Sequence, residues 1–264
     1  MAGTVAIAVT LAIERFGGRI GGLIGTLPTT IVPAALGLWG DDPVVFGETM
    51  GAVPAGMLLN AGFLWLWRVV PPRLPQKAGL GARLAMMTLA SLTSWTAAAI
   101  GLVLALGWTR HMGIATLWLG LGTLIVLAIA GLAATRTARP APAGKRRVRW
   151  PTLLMRGALA GGAIAAAIVL KDVGGPVASG VASVFPAIFL TAMVGLWISQ
   201  GEAVPSGAVG PMMLGSTAVG GFALLAAFTF PAFGRWGGTA IAWPIAVLLT
   251  TLPAYAWLRR NPPP

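Results

Sequence analysis

The residues of this chain that could do chemistry are few, and most come in matched sets. An acidic and a basic residue stand side by side at Glu14-Arg15 and again at Lys171-Asp172. Thr26, Thr29 and Thr30 flank Pro28 downstream of the first pair, and Ser179 and Ser183 precede Pro186 downstream of the second. Each half holds one further glutamate, Glu48 or Glu202, and Asn60 interrupts an apolar run. Inside a membrane, a carboxylate beside a cation can carry a coupling proton or close a gate by ion pairing; at the interface the same pair only snorkels to water. A hydroxyl both donates and accepts, so it can complete a site for either sign of charge or simply bond its own helix.

The same inventory excludes whole classes of chemistry. The chain has no cysteine, hence no disulfide, thiolate metal site or thiol nucleophile, and its lone histidine, His111, rules out a zinc site built on several histidines. Six acidic residues leave few acid-base pairs. No His-Glu-x-x-His, nucleophile elbow or phosphate-cradling lysine loop is present. The expectation is a protein that is not an enzyme and takes no cofactor and no metal. Any primary pumping would need a partner subunit to hold the nucleotide.

Membrane helices must position these residues. The chain is 57% hydrophobic and only 9% charged, against roughly 25% charged in soluble domains. Apolar runs near the ~20 residues that cross a bilayer recur near 2–14, 19–39, 49–70, 83–108, 112–135, 152–170, 175–199, 204–231 and 236–258. The fold class expected is all-α, a polytopic integral membrane protein of about nine transmembrane helices.

The net charge of +12 is distributed as a topology signal rather than as a nucleic-acid surface. Arg68, Arg73, Lys77 and Arg83 share one polar break, and Arg136, Arg139, Lys145, Arg146, Arg147 and Arg149 share another. With nine spans both breaks fall on one side, together with Arg15, Arg19, Arg156 and Arg259-Arg260, while only Arg110, Lys171 and Arg235 fall opposite. The positive-inside rule then puts the N-terminus outside and the C-terminus in the cytoplasm of a multi-pass cell-membrane protein, with anionic lipid drawn to the basic loops. The first segment lacks a basic start and reads as retained, not as a cleaved signal peptide. Trp39, Trp67, Trp108, Trp197 and Trp257 lie near span ends and read as an interfacial belt.

An internal repeat organises the whole. Glu14 to Pro28, containing Gly17-Gly18 and Gly21-Gly22, is echoed by Lys171 to Pro186, containing Gly174-Gly175, and each copy leads to Gly-Leu-Trp at Gly37 to Trp39 or Gly195 to Trp197. Met50 to Leu58 resembles Ser206 to Leu214, each after its glutamate. Residues 1–135 form a first unit of about five helices, 136–151 a basic linker, and 152–264 a second unit of about four, so the units enter the membrane from opposite faces. The span near 112–135 has no partner and serves to reverse the orientation of the second unit. Proline and paired glycine free backbone polar groups at depth, where half-helix N-termini face anions and unwound carbonyls face cations. Alternatively, the small residues only let helices pack closely.

Glu14 comes after 13 residues, about 20 Å of helix against a core of roughly 30 Å, so it either lies inside the membrane boundary or sits with Arg15 at the interface and snorkels. Glu48 and Glu202 each begin a span, where capping is their simplest role; Asp41-Asp42-Pro43 reads as a turn. Asn60 is interhelical glue or part of a path.

In its repeated Gly-Gly-to-Pro motif and odd span count, the chain resembles inverted-repeat secondary transporters. The resemblance covers most of the chain except the fifth span. It implies a permease moving a small neutral or anionic solute by alternating access, with Thr26, Pro28, Thr29, Thr30, Asn60, Ser179, Ser183 and Pro186 at the site, and Glu14, Arg15, Glu48, Lys171, Asp172 and Glu202 coupling or gating. Its partners would be the lipid bilayer, the solute, a coupling proton or sodium ion and, in a homo-oligomer, further copies of the chain. A passive channel and a structural subunit of a larger complex remain the alternatives.

Overall fold

The computed structural model describes residues 26–29, 31–40, 42–137, 150–202 and 204–261. They form α1 (Ile31–Leu38), α2 (Pro43–Val69), α3 (Leu80–His111), α4 (Thr116–Arg136), α5 (Trp150–Ala182), α6 (Ala187–Gln200), α7 (Val204–Gly215), α8 (Thr217–Ala246), a π turn (Val247–Thr251) and α9 (Leu252–Arg260). No strand occurs among the described residues. Four helices are long and apolar enough to cross a membrane, or five if the bent pair Asp172–Ala182 and Ala187–Ile198 is counted as one span. The protein is therefore an all-α membrane protein. The expected count of nine spans is not confirmed: four or five are found among the described residues, one of them the 56-residue stretch Pro205–Arg260, and the first expected span and part of the second lie outside those residues.

Asp42 starts α2. Its carboxylate accepts hydrogen bonds from the backbone N–H groups of Val44 and Val45, and Pro43 stands at the first helical position, where a missing N–H costs nothing. This helix is the axis of the molecule: 72% of its most apolar 18-residue stretch is buried, against 22% for α3 and for α4, which turn their outer faces to lipid. Pro54 and Gly56 keep its middle slim, and α5 and α8 approach it there.

Two glycines make the chain double back inside what the hydrogen-bond pattern joins as single helices. Gly175 has φ 77° and Gly234 φ 69°, both in the left-handed region that glycine adopts without a Cβ clash. Beyond Gly175, Ser179 Oγ reaches Ala167 O at 2.7 Å, though twelve residues of straight helix would separate them by about 18 Å. Beyond Gly234, Thr229 Oγ1 reaches Gly238 O at 3.1 Å. These reversals coincide with breaks expected at 170–175 and 231–236.

The contacts define two ends. At one, Arg68 donates to Ala134 O, Thr137 Oγ1 and Ser206 O, Arg83 meets Glu202, and Trp257 donates to Thr135 Oγ1. At the other, Trp39 packs edge-on to Phe46 and Phe230, and Arg110 meets Glu48. Arg68, Arg73, Arg83, Arg136, Arg259 and Arg260 gather at the first end; Arg110 and Arg235 lie at the second. Among the described residues, the arginines are thus unevenly divided between the two ends.

Trp67 and Trp197 are not part of an interfacial belt. Both are fully buried and meet edge to face at 5.9 Å between centroids, turned into the core rather than outward. Trp108, by contrast, is exposed.

Candidate functional site

The second copy of the repeat is a broken helix. Asp172–Ala182 and Ala187–Ile198 meet at 43°. Pro186 has no N–H to continue the ladder, and the turn tightens around it, with Phe185 N bonded to Ala182 O and Ala187 N to Phe185 O. Val184 O, drawn out of the helical pattern, is taken by Asn60 Nδ2 at 2.7 Å. Asn60 Oδ1 in turn accepts from Trp95 Nε1 at 2.7 Å. An indole nitrogen only donates, so this bond fixes which way the amide faces. Phe185 closes the cluster by packing edge-on to Trp95 at 5.3 Å. Asn60 is the glue that satisfies the break, linking α2, α3 and 183–186 at about the middle of α2.

The hydroxyls around the break are bonded locally. Ser183 Oγ donates to Gly180 O, Ser179 Oγ to Ala167 O and Thr29 Oγ1 to Leu27 O. Their protons are committed, so what each still offers is lone pairs. Pro186 precedes α6 without a side-chain cap, so no cap side chain accepts from the first N–H groups of that helix. In the first copy, Thr26, Pro28 and Thr29 form a turn ahead of α1, and Thr26 is buried. α1 is eight residues long, about 12 Å, and ends beside Trp39 at the Asp42 end. α6 ends beside Trp67 and Glu202, at the opposite end. The two half-helices leave their prolines in opposite directions.

Glu48 does not cap. Asp42 caps α2, and Glu48, further along that helix, pairs with Arg110 at 2.7 Å. Glu202 pairs with Arg83 at 2.5 Å. Arg83 and Arg110 are near the two termini of one helix, α3, so each glutamate holds one end of it while Asn60 holds its middle through Trp95. Sequence reasoning missed all three α3 residues. Trp95 carried a signal in being a tryptophan far from either end of its span; the arginines carried none beyond charge.

Asp172 is exposed, three residues before the Gly175 reversal. Of Lys171 only the backbone in α5 is described. Glu14, Arg15 and Thr30 lie outside the described residues.

At the Asp42 end a groove of about 650 Å³ runs between the start of α2, the end of α3 and the start of α4. Glu48, Arg110, His111 and Thr116 line it, and Ala227 closes one wall. Among the described residues no group of three or more His, Cys, Asp or Glu side chains could hold a metal.

These features define a class, a helical membrane protein with a proline-broken span at its centre. No protein-family model, curated protein or solved structure matches the chain.

Proposed function

We propose that this protein is a secondary transporter or permease, moving a small neutral or anionic solute by rocking two inverted repeats about a midplane site. The observation that carries the proposal is the span broken at Pro186, whose second part, α6, runs to the opposite end from α1, the helix that follows the turn at Pro28. A discontinuous helix in a membrane leaves backbone groups without helical partners, and these can face a solute. The uncapped start of α6 favours negative charge or a carbonyl oxygen over a cation. Glu48–Arg110 and Glu202–Arg83 stand at opposite ends and would act as the two gates, with a proton or sodium as coupling ion. The basic end, with Arg68, Arg136 and Arg259, would face the cytoplasm of a cell membrane.

The test is gradient-driven uptake of candidate solutes into proteoliposomes. Thr26→Val together with Ser183→Val should abolish saturable uptake at undiminished expression. Loss of assembly without a selective transport defect would overturn the assignment. The local bonding of Ser179 and Ser183 to backbone favours a second reading, a structural subunit whose small residues only pack. Purified protein that moves no solute and co-purifies with a fixed partner would select it. Uptake that tracks the gradient without saturating would select a passive channel.

A further inference from the structure

We propose that the ends of α4 and α9 form a headgroup site for one anionic phospholipid, with Arg136 and Arg260 receiving the phosphate on either side of Trp257. The site is built outward from the indole. Trp257 Nε1 donates to Thr135 Oγ1 at 3.1 Å, which ties α9 to the last turn of α4 and fixes the ring. The Arg136 guanidinium lies over that ring, 5.0 Å from its centroid. Stacking uses one face of the guanidinium and none of its five N–H donors. Among the described residues, none accepts a hydrogen bond from Arg136 or pairs with it as an ion. A fork held flat against an anchored ring, with its donors open, loses little freedom when a phosphate docks on it. Arg260 is exposed and stands three residues beyond Trp257, about one turn further along the same side of α9.

The charge at this end calls for an anion. Glu202 is held by Arg83, and Arg68, Arg73, Arg136, Arg259 and Arg260 form no ion pair with any described residue. Helix C-termini answer part of that charge. α2, α4, α6 and α9 all end here, each equivalent to about half a negative unit, which leaves a positive excess.

What selects a lipid over a soluble anion is the apolar track that leads to Arg136. Ile125, Ile129 and Ala133 are exposed on α4 at the spacing of one helix face, and Arg136 completes the row one turn further on. Acyl chains can lie along that row while the phosphate reaches the arginines, at the depth where a tryptophan with one wet edge belongs. A soluble phosphate has no use for the row. The opposite end carries the comparison: Arg235 lies over Trp236 at 5.7 Å, but no described residue anchors that indole N–H. The site is independent of what the chain transports, since lipid retention is read without uptake.

The experiment is native mass spectrometry of the full chain released from micelles that hold equal amounts of phosphatidylglycerol and phosphatidylcholine. Phosphatidylglycerol should be retained about tenfold in preference. Arg136→Gln and Arg260→Gln should each cut its retention about fivefold, and Arg235→Gln should leave it unchanged. Arg136→Lys, which keeps the charge and loses the fork, and Trp257→Leu, which removes the ring, should each cut it about twofold or more. The proposal is overturned if phosphatidylcholine is retained equally, or if Arg235→Gln acts like Arg136→Gln. It is overturned as well if Arg136→Lys retains lipid like wild type, which would make bulk charge the cause, or if excess inorganic phosphate displaces the lipid, which would make the ligand a soluble anion. Should Trp257→Leu fail to fold, the exposed Arg136→Gln and Arg136→Lys pair decides.

Discussion

The two ends of α3 are held by the same device in different surroundings. At its start, the Arg83 and Glu202 side chains are 11% and 23% exposed, and Arg83 also donates to Pro71 O and Gln76 Oε1. At its other end, the Arg110 and Glu48 side chains are 40% and 24% exposed and open onto a groove. The two glutamates are almost equally exposed, so the difference lies in the arginines and what covers them. A charge pair shielded from water is costly to break by removing one partner, whereas a wet pair contributes little. The Arg83 end is thus a lock, and the Arg110 end a latch that water or a solute can loosen.

Lock and latch can differ only if α3 is fixed in its middle, and the largest effect is expected there. Asn60→Ala would strand two buried groups, Trp95 Nε1 and Val184 O, at a cost of about 4 kcal/mol of stability. Trp95→Phe keeps a ring in place and strands only Asn60 Oδ1, at about 2 kcal/mol. Denaturant unfolding in detergent should rank the variants in that order. The reverse ranking would mean that Trp95 acts through packing, and that Asn60 does not join α3 to the break.

Next in size is the contrast between the ends. The chain has no cysteine, so Ser183→Cys, half-buried at the break, is a unique thiol against which to test each gate from each side of a vesicle. In that background Glu202→Gln should raise labelling from the Arg83 end about tenfold, matching a loss of roughly 1.4 kcal/mol. Glu48→Gln, releasing the wetter pair, should raise labelling from the Asp42 end only about twofold, for roughly 0.5 kcal/mol. Equal effects would erase the distinction between lock and latch. Labelling that rises from the wrong side would show that these pairs do not guard the break.

What is legible in the sequence depends on how far each cause reaches along the chain. Gly174-Gly175-Pro176 and Pro186 act on their own backbone, and the break and the reversal sit where those residues predict them. Asp42-Pro43 is just as local a signal, but the same two residue types open turns and helices alike, and a glutamate a few residues on competes for the capping role. The α3 partners lie beyond sequence reasoning for a physical reason: Trp95 is 35 residues from Asn60, and Arg83 is 119 from Glu202. Nothing in an apolar helix announces which neighbour its one polar group will face. Trp67 and Trp197 show the same limit, since both lie near span ends as a belt requires and only packing turns them inward. The Gly234 reversal leaves a trace in the charge at Arg235, which interrupts an apolar run and lies at the end of the bundle.

The smallest expected effect is also the most discriminating. The Debye length falls from about 10 Å at 0.1 M salt to about 3 Å at 1 M, and screening acts on charges in contact with water far more than on buried ones. Raising salt should therefore bring wild-type labelling of Ser183→Cys from the Asp42 end up toward the Glu48→Gln level, a change of about twofold at most. From the Arg83 end, labelling should stay at its wild-type level, because Pro71 O and Gln76 Oε1 hold Arg83 beside Glu202 even when the ionic term weakens. The choice of anion separates two causes at the latch. If sodium acetate opens it at concentrations where sodium chloride does not, Arg110 is changing partners; if the two salts act alike, the latch yields to screening alone.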